Sequence, residues 1–191
     1  FLDYDRYEPD VPCGDATGPN MHFSSGWCYW DLPVLPASVP ALEEEAWKGR
    51  LGKTSGHIEA LQKFYHMDQQ AITSIDNILP QLDEQGASWL RLLKNRLQTR
   101  GFYIQMMQKI DEAVLAYDQA ARSQGIRQGR QAAAPLTQQA AEYGRLTIET
   151  YAREVRNRGD LGVLAQMNEQ VYRRVEDYAA SLGQEESVDI K

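Results

Sequence analysis

"WKGRLGKTSGHIEALQKFYHMDQQAITSIDNILPQL", residues 47–82, decides the fold. Apolar residues recur in it at alternating spacings of four and three. One row carries Leu51, Ile58, Tyr65, Ile72 and Leu79; its companion carries Trp47, Thr54, Leu61, Asp68, Ile75 and Leu82. A repeat kept over five heptads is a coiled-coil pattern rather than a single amphipathic stripe. Gly52 and Gly56 weaken its start, and Pro80 is expected to bend or end it. Leu51, Ile58, Leu61, Tyr65, Ile72, Ile75, Leu79 and Leu82 read as an oligomer seam. So long a seam exceeds what two or three short neighbours would cover, which predicts self-association.

The pattern continues in both directions. Upstream, Pro40 fits a helix's first turn, with Glu43, Glu44 and Glu45 placed to complement the N-terminal dipole. Downstream, Leu90, Leu93, Leu97 and Ile104, then Tyr103, Met107, Ile110, Val114, Tyr117 and Ala121, predict a second helix over Ser88–Ser123. "SQGIRQGRQAAAP", residues 123–135, with Gly125 and Gly129 ahead of Pro135, reads as the interhelical break. A third helix is expected from Pro135 to about Asn157. A fourth should run from Leu161 to Leu182 on the row Leu161, Leu164, Asn168, Val171, Val175, Tyr178 and Leu182. That row puts Asn168 at a core position, where a buried amide can fix register.

Residues 1–40 differ from all this. They hold six of the eight prolines, both cysteines and seven aromatic residues, with no periodicity. Cys13 and Cys28 bracket a Gly/Pro/Ser-rich loop and read as an intrachain disulfide of an oxidising compartment. Closing a loop of about 15 residues contributes roughly 3 kcal/mol in the chain-entropy view. Reduced thiols in a cytosolic protein, or a link between chains, are the alternatives. A start at Phe1 without an apolar leader raises the expectation of a processed chain.

Composition narrows the function classes. A net charge of −7 over 191 residues argues against a nucleic-acid or anionic-membrane surface. No apolar run approaches a membrane span. His22, His57 and His66 show no metal-ligand spacing, and His57 and His66 read as solvated or rim histidines. Asp111–Glu112 and Glu185–Glu186 are adjacent, hence on different helix faces, and read as solvated charge. No nucleophile elbow, phosphate loop or dinucleotide fingerprint occurs. The reading is of a non-enzyme with no cofactor and no metal.

One short motif remains, at residues 158–164: Arg158-Gly159-Asp160-Leu161-Gly162-Val163-Leu164. A helix junction explains it, with Gly159 closing the third helix and Asp160 capping the fourth. That junction is expected to be exposed, because a Gly between two charged residues cannot be buried without leaving them unpaired. The pattern RGDLxxL also resembles the integrin-binding loops of some viral capsid proteins and of the transforming growth factor β latency peptide. The resemblance covers seven residues. It implies that Asp160 completes a metal site on an integrin, that Arg158 pairs with acidic residues there, and that Leu161 and Leu164 fill an apolar pocket.

The sequence therefore predicts an all-α protein, an elongated helical bundle or coiled coil of three to four long helices behind an irregular, disulfide-closed N-terminal cap. Its parts are a cap at 1–40, helices over 41–182 and a polar tail at 183–191. The expected function is a secreted, non-enzymatic structural or interaction module that oligomerises through its helices and carries an integrin-type turn. An intracellular helical adaptor with reduced cysteines is the alternative.

Overall fold

The computed structural model describes residues 32–184, and every described regular element is helical. Cys13, Cys28 and residues 185–191 lie outside the described residues. After an irregular stretch, a short 3-10 turn at Pro40–Glu43 buries Leu42. Helix α1 follows at Glu45–Ile78. Pro40 thus opens a separate turn and the long helix starts five residues later. Glycines at 49, 52 and 56 do not break α1, because the buried Trp47, Thr54 and His57 hold its first half against the rest of the fold. Pro80 does end α1, falling in the 3-10 turn Leu79–Gln81.

Helix α2 spans Glu84–Gln124, starting four residues before the periodicity suggested. Asp83 is the reason: its Oδ1 accepts the Gly86 N–H at 2.8 Å, satisfying an end that would otherwise leave donors orphaned. The break expected over residues 123–135 shrinks to Gly125. Its φ of 103° is open to glycine and costly for other residues, so the chain reverses there within one residue. Helix α3 begins at once, at Ile126, and runs to Ala152. Pro135 lies inside α3 rather than at its start. It is tolerated on the exposed face, where water can reach the carbonyl that Pro leaves unbonded.

Helix α4 spans Arg158–Met167, a π turn covers Asn168–Tyr172, and α5 continues through Arg173–Gln184. The π turn corrects the expected row. Met167 and Val175 are both buried although eight residues apart, one more than a heptad, and the wide turn absorbs the extra residue. Asn168 consequently sits half-buried rather than in the core.

Successive helices run antiparallel. Trp47–Asp118, His57–Asp111, Asp68–Arg100 and Asp76–Lys94 link α1 to α2 in descending order. Close approaches at Gly129–Ala121 and Gly144–Met106 do the same for α3 and α2. Two clusters of apolar side chains form the core. One gathers Leu61, Tyr103, Met106, Ile110, Met167 and Val175; the other gathers Leu42, Trp47, Val114, Tyr117, Ala133 and Leu182. Within the second, Trp47 meets Tyr117 edge-on at 5.7 Å. The Tyr117 hydroxyl donates to the Pro36 carbonyl, tying the leading stretch to α2.

Candidate functional site

The α1–α2 hairpin holds most of the buried polar chemistry. His57 Nδ1 lies 2.5 Å from Asp111 Oδ2, with both side chains buried. A carboxylate only accepts, so Nδ1 carries the hydrogen. The other ring nitrogen, Nε2, is buried and has no hydrogen-bond partner among the described residues. Two expectations fail here. His57 is not a rim histidine, and Asp111 is not solvated. His57, three residues after Thr54 and four before Leu61, falls on the side of α1 that α2 covers.

The other rungs follow the same logic. Asp68, 1% exposed, accepts from Arg100 Nε at 2.8 Å and from Nη2 as well. This two-point bond is the geometry in which a guanidinium best matches a carboxylate. Trp47 Nε1 donates to Asp118 Oδ1 at 2.8 Å, and Asp118 also accepts from Arg122 Nε. The Arg122 guanidinium reaches on to Glu43, and its bonds with Lys48 alongside hold the Glu43 carboxyl below its ordinary range.

The expected seam is divided by this arrangement. Leu61, Ile72 and Ile75 are buried, and Leu51, Ile58, Tyr65 and Leu79 are half-buried. The 41 residues of α2 are what cover them, a longer neighbour than the sequence suggested. Leu82, at the tip, is exposed.

That tip is the second notable region. Asn95 Nδ2 donates to the Thr150 carbonyl at 2.7 Å, and α3 ends at Ala152. From Glu84 to Lys94, about 16 Å of α2, the helix has run beyond the end of α3. Ile78 (47% exposed), Leu82 (40%) and Trp89 (62%) lie in or beside this extension. Trp89 was not singled out by periodicity because it sits beside the stripe of Leu90, Leu93 and Leu97. A large aromatic just off an apolar stripe was the available signal.

Comparison with protein-family models, with curated proteins and with solved structures finds no match.

Arg158, Gly159 and Asp160 do not form a junction between helices. They are the first turn of α4, and its cap is Asn157, whose Oδ1 accepts the Asp160 N–H at 3.0 Å. Gly159 therefore does not close α3, and Asp160 does not cap α4. Arg158 and Gly159 are exposed as expected, whereas Asp160 is half-buried. One carboxylate oxygen of Asp160 accepts from Arg96 Nη2 at 3.3 Å. The other accepts from the Arg156 N–H at 3.0 Å and Asn157 Nδ2 at 3.1 Å. Arg96 also lies over the Tyr151 ring, 3.9 Å from its centroid. Leu161 is 55% exposed, and Leu164 is half-buried against the core.

Among the described residues, no group of three or more His, Cys, Asp or Glu side chains is arranged to hold a metal ion. No described helix is long and apolar enough to cross a membrane.

Proposed function

We propose that this chain is a non-enzymatic, extracellular structural or interaction module, an elongated antiparallel bundle that self-associates through its helices. The observation that carries this reading is the α1–α2 extension. Two helices project past the end of α3 with Ile78, Leu82 and Trp89 uncovered. Two helices alone cannot bury both of their apolar faces, and large apolar side chains left exposed there are candidates for interaction. The buried rungs support the same reading, since they hold the projecting pair in one register. Light scattering on the full chain tests it: a mass above the 21.7 kDa of one copy is expected, and a strict monomer at every concentration would overturn it.

The extracellular part of the proposal rests on Cys13 and Cys28, expected to be joined within one chain. Peptide mass spectrometry without reduction should find that link. Two free thiols would favour an intracellular adaptor instead.

Adhesion through Arg158–Leu164 is a second reading, favoured by the exposure of Arg158 and Leu161. It requires Asp160 to exchange the bonds from Arg96, Arg156 and Asn157 for a metal ion on the integrin. Cation-dependent capture by purified integrin heterodimers, abolished by Asp160→Glu with helical content unchanged, is the expected result. Cation-independent or undetectable capture would leave these residues as a helix start.

A further inference from the structure

We infer that the bundle carries a groove for uncharged, proline-rich segments of P-x-x-P spacing, held in this chain by its own Leu32–Pro36. The inference is independent of the self-association proposed above.

The stretch Leu32-Pro33-Val34-Leu35-Pro36-Ala37 is buried with a period of three. Leu32 and Leu35 are half-buried, Pro33 and Pro36 are buried, and Val34 and Ala37 are exposed, Val34 at 89%. An α-helix would repeat every 3.6 residues and a strand every two, whereas three per turn is the repeat of polyproline II. The local chemistry agrees. Each proline fixes its own φ, and each pushes the leucine before it toward extended backbone. One edge of this three-sided rod carries both prolines, and that edge faces inward.

The bundle receives the rod as it would a bound peptide. Leu32 packs against the cluster of Leu61, Tyr103 and Ile110, and Leu35 against that of Trp47, Tyr117 and Leu182. Tyr117 is fully buried, and its hydroxyl donates to the Pro36 carbonyl. A polyproline II backbone makes no hydrogen bonds of its own, so its carbonyls are open to such a donor. Aromatic-lined grooves take proline-rich segments because these arrive already in their bound shape.

Little in this contact is peculiar to the resident segment. Residues 32–42 carry no charge, and the groove meets two proline rings at a fixed spacing, two leucines and one carbonyl. A segment of another protein with that spacing presents the same features. An emptied groove would leave the Tyr117 hydroxyl buried without its acceptor, so replacement of one such segment by another is favoured over an open site. Ala37, Ser38 and Val39, all exposed, tether the resident to the turn at Pro40–Glu43. A short tether sets an effective concentration on the order of millimolar, which a ligand from outside must match.

Ligand-observed NMR titration of a synthetic peptide of residues 32–37 into the full chain tests the assignment. Wild type should bind it saturably with an apparent Kd of roughly millimolar order, the level that the tether sets. Pro33→Ala and Leu35→Ala weaken the resident, and each should tighten peptide binding about tenfold or more. Tyr117→Phe added to Leu35→Ala should weaken it again by about tenfold, as for one lost hydrogen bond. The same peptide with alanine at both prolines should not bind. Circular dichroism checks that the variants keep their helices, and the wild-type titration needs no variant. Absence of saturable binding to wild type and to folded strap variants would overturn the groove, leaving Leu32–Pro36 as packing alone. Equal binding of the proline-free peptide, or binding indifferent to the strap variants or to Tyr117→Phe, would overturn it as well.

Discussion

Helix α2 is gripped on two sides in two different ways. Toward α1 it presents polar partners: Asp118 for Trp47, Asp111 for His57, Arg100 for Asp68 and Lys94 for Asp76. Toward α3 it meets small residues, with Ala133, Thr137, Ala140 and Gly144 all buried along α3. The α3 side fixes its position by shape, because two backbones approach closely wherever a side chain is missing. The α1 side fixes position by pairing, because a one-turn slip would strand each buried charge against carbon. Closeness and pairing are alternative means of choosing one register.

Breaking a rung should have the largest effect. Asp68→Ala removes the two-point bond between buried Asp68 and the half-buried Arg100 guanidinium, and a loss of about 3 kcal/mol is expected in urea denaturation. Replacing both residues, Asp68→Leu with Arg100→Met, should cost less than the single change, since no charge is then stranded. A double variant as unstable as the single would show that volume, not pairing, matters on this side.

Glycine substitutions sharpen the contrast by reversing sign between the two sides. A Cβ at Gly129 would sit 2.8 Å from Ala121 Cβ and 2.9 Å from the Tyr117 backbone oxygen, and backbone cannot step aside cheaply. Gly129→Ala should destabilise by about 1–3 kcal/mol. Gly52→Ala on α1 meets nothing within 4 Å and should stabilise by about 0.5–1 kcal/mol through helix propensity. Thermal melts of the pair decide the matter; equal signs would erase the distinction.

The smallest effect concerns Tyr178, which touches both core clusters. Burial pushes its phenol up to about 12, with the nearby Arg50 guanidinium opposing the shift. A pKa raised on folding favours the protonated form in the folded state. The associated stability is therefore complete below about pH 10 and lost as pH rises toward 12. Tyr178→Phe should flatten alkaline unfolding in that window. An unchanged profile would place the sensitivity on other tyrosines.

The helical class was legible because one period ran through most of the chain, and Pro80 stopped α1 as its missing N–H requires. What escaped the sequence depended on partners. Pro135 looked like a helix start because nothing local says that its turn faces water. Asn168 looked like a core residue because strict 3–4 spacing cannot reveal a π turn, which shifts the phase by one residue. His57 and Asp111 are 54 positions apart, and each alone reads as a surface group. Leu82 shares the spacing of Leu61 and Ile75, yet it is exposed where they are buried, because α1 ends before it at Ile78. Asn157 was passed over as a cap because Gly159 and Asp160 offered a complete local explanation.

The single-residue reversal at Gly125 has a consequence in time. Ala121 and Gly129 meet across it although only eight positions separate them, so closing that corner costs little chain entropy. Trp47 must find Asp118 across 71 positions. The hypothesis is that folding starts at the α2–α3 corner and advances toward Asn95 and Thr150, with α1 docking afterwards. Rate measurements on Ala133→Gly and Leu61→Ala would test this order: the first should slow folding, the second should mainly hasten unfolding. The reverse would mean that the long rungs, not the tight corner, set the pace.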